Sequence, residues 1–230
     1  MNICSDLVTV IRERLPEILD LRDDFKEKDD RSYVSSGDIL VQSLVVDHVR
    51  KCLPGFELIS EEMGPFGERV WDRKGSYVIL DPIDGTENFV SGLREWGTGI
   101  SVFKNGTHQE SCIYLPELED VLVTGMRIRK FRSRIHGLSS SLQKQDLLTI
   151  SSGYEYRIIG CSMYNTLAAV KGSFSVFENL KGVNCWDILP GLNLALEHGC
   201  RVLVDNKPYG GEILFPTKKY KIRIENRQLP

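Results

Sequence analysis

The stretch Ile79-Leu80-Asp81-Pro82-Ile83-Asp84-Gly85-Thr86-Glu87-Asn88-Phe89 leaves few folds open to this chain. The apolar run Tyr77–Leu80 reads as a buried strand, and it leads directly into two aspartates three positions apart. Pro82 fixes its own backbone and restricts Asp81, so the two carboxylates can be held rigidly at the strand end. A hard divalent cation such as magnesium is held by few carboxylates and keeps waters for exchange. Gly85 lets the backbone approach an anion closely, and free amides from Thr86 onward make an anion site at a helix start. Carboxylates for a metal beside a phosphate cradle point to phosphoryl chemistry. Taken singly, the dipeptides are ordinary: Asp-Pro is a turn, and Gly-Thr is the entry to a helix capped by Thr86. The full string is far more specific than any of its parts.

Around it the chain reads as mixed helices and strands. Leu7, Val8, Val10, Ile11, Leu15, Ile18, Leu19 and Leu21 recur at helical spacing, with Pro16 predicting a kink or two shorter helices. Lys26–Gly37 reads as a polar loop. Asp38 stands as N-cap of an amphipathic helix carrying Ile39, Leu40, Leu44, Val45 and Val49, stopped by Pro54-Gly55. Strand patterns follow at Phe56–Ser60, Tyr77–Leu80, Gly99–Phe103, Ser111–Leu115 and Val121–Gly125, with a hairpin signal at Asn105-Gly106. Residues 126–156 are polar and weakly patterned. Beyond them come a strand at Arg157–Cys161, a helix at Ser162–Lys171 stopped by Gly172, and a strand at Phe174–Phe177. A helix at Asp187–His198 and a strand at Arg201–Val204 complete the pattern, that of an α/β layered sandwich.

Three further segments carry carboxylates: Ser35-Ser36-Gly37-Asp38, Ser60-Glu61-Glu62 and Cys185-Trp186-Asp187 with Gly191. Each alone has a plain reading, a helix cap for Asp38 and Asp187 and a solvated pair for Glu61-Glu62. Together with the central string they resemble the inositol monophosphatase family, whose signature is D-P-[IL]-D-G-T-x-N-F. That family has a Glu-Glu pair, a Thr-x-x-Asp segment and a W-D-x-x-[AP]-G motif in this order. The resemblance spans residues from about 5 to 205.

The resemblance implies an αβαβα sandwich of the inositol monophosphatase and fructose-1,6-bisphosphatase type, here with a shortened central region. It implies one catalytic unit over residues 1–230, with a metal and phosphate half at about 1–125 and a half carrying Asp187 at about 157–230. Glu61, Asp81 and the main-chain carbonyl of Ile83 would hold a first magnesium ion; Asp81, Asp84 and Asp187 would hold a second. A third ion and substitution by manganese are compatible with the family. Asp38 and Thr86 would orient and deprotonate the attacking water, with Glu61 contributing to catalysis, and the amides of Gly85 and Thr86 would take phosphate oxygens. Glu62 would support the site from outside the ligand set. Asp84 and Asp187, with Glu178 and Asn179, are the candidate substrate contacts. Lithium inhibition and a homodimer belong to the same expectation. The substrate would be an inositol monophosphate or sugar phosphate, with 3'-phosphoadenosine 5'-phosphate as the rival. A member that kept the fold and lost turnover, binding a protein or RNA partner, is the alternative of another class.

The chain also departs from the family. Inositol-specific members carry an acidic residue seven positions before the Trp-Asp aspartate, where Leu180 stands here, with Glu178 and Asn179 adjacent. Arg94 replaces a common proline and reads as a solvated loop residue or an anion contact. Arg127, Arg129, Lys130, Arg132 and Arg134 read as the solvated edge of a strand; without stacking aromatics the run is weak evidence for nucleic acid. Two residues, not one, separate Asp81 from Asp84, which excludes the haloacid dehalogenase mechanism. No glycine-rich nucleotide loop or nucleophile elbow occurs. A net charge of −3 and the lack of a long apolar run argue against nucleic acid and membrane. Six cysteines without a CxxC pair fit reduced thiols, and the expected compartment is the cytoplasm.

Overall fold

The computed structural model describes residues 3–148, 150 and 152–226. The first half opens with helices α1 (Ile3–Glu13) and α2 (Leu15–Asp20), broken before Pro16 as the sequence predicts. The expected polar loop is instead a hairpin of β1 (Phe25–Glu27) and β2 (Tyr33–Ser35), whose three-residue strands are too short to leave a period-2 signature. Helix α3 (Ser36–Cys52) follows, then β3 (Glu57–Ser60), β4 (Tyr77–Asp84) and the short α4 (Thr86–Val90). Strands β5 (Gly97–Lys104), β6 (Thr107–Leu115) and β7 (Asp120–Val123) complete a five-stranded sheet in the order β3-β4-β5-β6-β7. Within this sheet only β3 and β4 run parallel. The β5–β6 turn places Asn105 and Gly106 at positive φ, as an Asn-Gly hairpin requires.

All eight residues of β4 are buried, because both faces of this sheet are covered. Val78 and Leu80 face α1 and α3, which contribute Leu7, Ile11, Val41, Val45 and Val49 at helical spacing. Tyr77 and Ile79 face the other core.

The second half contains β8 (Ile135–Leu138), the single turn α5 (Lys144–Leu147), β9 (Glu155–Ile158), α6 (Ser162–Lys171), β10 (Val176–Val183) and α7 (Leu189–Glu197). It closes with β11 (Arg201–Val204), β12 (Lys207–Pro208) and β13 (Tyr220–Glu225). The second sheet has the order β12-β11-β13-β10-β8-β9. Helices α6 and α7 lie between the sheets: Met163, Leu167, Leu192 and Leu194 share one core with Ile79, Ile113, Phe177, Ile222 and Ile224. Helix α6 ends where Gly172 takes a left-handed conformation, as expected. The fold is therefore the layered αβαβα arrangement, with its last helical layer cut to α5, which Asp146 ties to Lys181 of β10 at 2.8 Å.

The basic run forms no strand edge. Arg129 covers the Phe131 ring, Lys130 donates to the His198 carbonyl and Arg134 pairs with Glu155. Among the described residues no helix is long and apolar enough to cross a membrane, and the six cysteines are free thiols.

Candidate functional site

A cleft of about 290 Å³ opens where the ends of β4, α4, α6 and the segment before α7 meet. Glu61, Ile83, Asp84, Gly85, Thr86 and Asp187 all line it, although they come from distant parts of the chain. Glu61 lies in a 3-10 turn (Glu61–Met63) directly after β3, and the parallel β3–β4 pairing sets it beside Asp81. Oxygens of Glu61, Asp81 and Asp187 lie within 4.8 Å of one another. Asp81 is 0% exposed, and neither of its carboxylate oxygens has a hydrogen-bond partner. A buried carboxylate left this way is costly unless a cation joins it. Burial pushes the Asp81 carboxyl well above the ordinary range, with Glu61, Asp84 and Asp187 adding repulsion. Burial and Glu61 act on Asp187 in the same direction. Three carboxylates with no nitrogen or sulfur ligand suit a hard, oxygen-preferring ion.

Asp84 lines the same cleft but is partly committed. Its Oδ2 accepts from the Cys161 thiol at 2.9 Å and from the Met163 amide in the first turn of α6. Burial raises this carboxyl to about 7 while those two donors oppose the rise. Gly85 has φ 81°, and a Cβ there would stand 3.0 Å from Cys161 Cβ and 3.1 Å from the Gly160 carbonyl. Only glycine fits between the end of β4 and the start of α6. The Thr86 hydroxyl lies 3.0 Å from the Ile83 carbonyl and 3.4 Å from Asp38 Oδ1, donating to either.

Asp38 is not the N-cap of α3. Ser35 holds that position, and Asp38 at N3 closes a capping box by accepting from the Ser35 amide at 2.8 Å. The other Asp38 oxygen is thereby turned toward Thr86. Burial raises the Asp38 carboxyl to about 7 against the pull of its Ser35 hydrogen bonds. Asp187 does not cap α7 either; Ile188 precedes that helix, and Asp187 accepts from the Asn184 amide at 2.8 Å. Trp186 is core, packed near Phe66.

The substrate-side residues part company. Successive side chains on β10 face opposite ways. Asn179 therefore lines the cleft while Glu178 faces the far side of the sheet, bound to Arg223 at 2.8 Å and beside His136. Glu178 is not a wall of this cleft. Asn179 is largely spoken for, since its Oδ1 accepts from the amides of Lys181 and Gly182. Arg94 donates to the Glu117 carbonyl and does not line the cleft.

Several residues at the site were not read from the sequence. Lys28, in the β1–β2 hairpin, places its ammonium 3.0 Å from Glu61 and 2.7 Å from Glu62. Burial works against that charge, but the two glutamates carry its pKa above the ordinary lysine range. Ser139, Asn165 and Lys219 line the cleft. None has a local sequence signature: Lys28, Ser139 and Lys219 depend on a strand end or loop placed by packing, and Asn165 on which face of α6 meets the cleft.

The inositol monophosphatase family model matches residues 1–134. A Thermotoga maritima fructose-1,6-bisphosphatase/inositol-1-monophosphatase is 27% identical over 191 residues, 74% of this chain and 70% of that one. The 3'(2'),5'-bisphosphate nucleotidase CysQ of Escherichia coli is 26% identical over 200 residues, 78% of this chain and 79% of its own. Among solved structures, an IMPase/NADP phosphatase complexed with Mg2+ and phosphate superposes with a TM-score of 0.79 at 20% identity, covering 98% of this chain and 89% of that one.

Proposed function

This chain belongs to the inositol monophosphatase family, and on that premise we propose that it is a magnesium-dependent phosphatase acting on a small phosphorylated polyol or sugar. The observation that carries the reading is Asp81, buried with both oxygens unpartnered at the centre of Glu61 and Asp187 and beside Gly85-Thr86. Glu61, Asp81 and Asp187 would hold the cation, joined by the uncommitted oxygen of Asp84 and the carbonyl of Ile83. When bound, the ion supplies charge neutralisation and Lewis-acid assistance to attack of water on phosphorus. The protein's own groups do the rest. Asp38 Oδ1 takes up a proton, assisted by a pKa near 7, and the Thr86 hydroxyl, 3.4 Å from it, orients the attacking water beside the pair. The amides of Gly85 and Thr86 donate to phosphate oxygens, where glycine's missing side chain leaves room. Because the carboxylates come from both halves of the chain, the two act as a single catalytic unit in this reading.

The similarity to CysQ favours a second reading, a nucleotide bisphosphate substrate. Against it, Tyr33 is the single aromatic residue among the described cleft-lining residues, and its ring packs on Phe25 at 5.0 Å. A nucleobase would have little to stack on. The test is phosphate release from a panel of phosphorylated metabolites with magnesium, with chelator, and after magnesium is restored. We expect turnover that chelator abolishes and magnesium recovers. Full turnover after exhaustive chelation refutes the metal assignment, and the preferred compound ranks polyols against nucleotides.

A further inference from the structure

We propose that Lys219 selects the substrate: it pairs with a second anionic group on a sugar or polyol phosphate, distal to the phosphate that is hydrolysed. This rests on the phosphatase reading above and adds the class of compound the site prefers. Lys219 is the one cationic side chain among the described residues lining the cleft, whose other charged groups are Asp30, Glu61, Asp84, Glu87 and Asp187. The neighbouring Lys218 is paired with Asp205 at 2.6 Å, whereas Lys219 has no ion pair among the described residues. Its charge acts weakly on Asp30 across the cleft rim. That carboxylate already accepts from the Ser32 hydroxyl at 2.6 Å and from the Ser32 amide at 3.1 Å. The ammonium is thus available at the rim.

The backbone around Lys219 is shaped to put it there. The β10–β13 register shifts between Asn179 and Val183, and the Asn179 carboxamide folds that bulge by accepting from the Lys181 and Gly182 amides. Gly182 sits at φ 91°, where a Cβ would meet Lys219 Cβ at 3.1 Å. A side chain at position 182 would therefore crowd the lysine stem.

A second observation points to a ligand in the same cleft. Ser139 is 7% exposed and Asn165 1% exposed; both line the cleft, and Ser139 Oγ and Asn165 Oδ1 have no hydrogen-bond partner. One hydroxyl that can donate and one amide oxygen that accepts suit the hydroxyls of a polyol. Buried polar atoms of this kind are satisfied by something. The scissile phosphate would sit at the Gly85 and Thr86 amides and at the cation that Glu61, Asp81 and Asp187 would hold, leaving Lys219 for whatever negative charge the far end of the substrate carries.

The experiment compares the full-length protein with Lys219→Ala and Lys219→Arg, using a hexose bisphosphate, the corresponding hexose monophosphate and a phosphorylated sugar acid with magnesium. The wild type should favour the doubly anionic compounds by about two- to fivefold in kcat/KM, the scale of one charge pair at a wet rim. That preference should shrink with added salt. Lys219→Ala should bring the ratio toward one, through KM, while Lys219→Arg retains it. A preference shared by the sugar acid supports a general anion subsite; one confined to the bisphosphate supports a phosphate subsite. An unchanged ratio in Lys219→Ala, or equal losses on the monophosphate, overturns the proposal. If the wild type hydrolyses none of the compounds, the phosphatase reading fails. Calorimetric binding of the bisphosphate then decides Lys219 separately, and equal affinity in wild type and Lys219→Ala overturns it.

Discussion

Asp38→Asn should stabilise the metal-free protein while removing its activity. Asp38 is 1% exposed, and its carboxyl is raised from 3.8 to about 7, mainly by burial. At about 1.4 kcal/mol per tenfold change in proton affinity, the ionised form costs the folded state about 4 kcal/mol at pH 8. Water entry and relaxation around a real charge reduce this to about 2 kcal/mol. Asparagine has nearly the same shape, and its carbonyl oxygen can accept the same Ser35 hydrogen bonds, so the capping box survives. The sign follows from proton linkage. Between 3.8 and about 7 the folded parent binds more protons than the unfolded chain, so its stability falls as pH rises through that window. The advantage of the variant is therefore near zero below pH 4, grows through the window and levels off above about pH 7. Urea unfolding followed by circular dichroism, in chelator at pH 4.5 and pH 8, measures it. A gain under about 0.5 kcal/mol at pH 8, or the same gain at both pH values, refutes the argument. Turnover with magnesium should meanwhile fall by at least about a hundredfold, the usual scale for losing a general base.

Other residues give distinct signatures. Asp84→Asn and Thr86→Ala should each lower kcat for every substrate, a generic aryl phosphate included, by about two to three decades; near-normal turnover in either contradicts its role. Gly85→Ala should lower both the thermal midpoint and kcat, because the added methyl meets Cys161 and the Gly160 carbonyl at 3.0 and 3.1 Å in a backbone with φ 81°. An unaltered melting curve would count against that crowding. Lys28→Ala removes an ammonium that competes with a cation for Glu61, so the magnesium concentration for half-maximal stabilisation should drop by about threefold. A shift to higher magnesium would show that Lys28 helps to hold the ion's surroundings together.

Much of the fold was legible because its signals are local. Helix α6 spans Ser162–Lys171 and strand β11 spans Arg201–Val204, as read from periodicity and the glycine stop. The broken helix at Pro16 and the Asn105-Gly106 hairpin also follow from restrictions that act within a few residues. The β1–β2 hairpin escaped because its strands are three residues long and polar, and with it went Lys28. Strand β13 escaped as well, and the loop before it carries Lys219.

At the site, the order of residues determined that Asp81 and Asp84 stand at one strand end with Gly85 and Thr86 next to them. Covalent geometry around Pro82 and the glycine requirement act along the chain, so no packing is needed to read them. Tertiary structure decided which distant carboxylates join them: β3–β4 pairing brings Glu61, and the docking of the segment before α7 brings Asp187. It also decided between Glu178 and Asn179. Adjacent in sequence, they lie on opposite faces of β10, and only the packing of α6 and α7 against one face determines which of them meets the cleft.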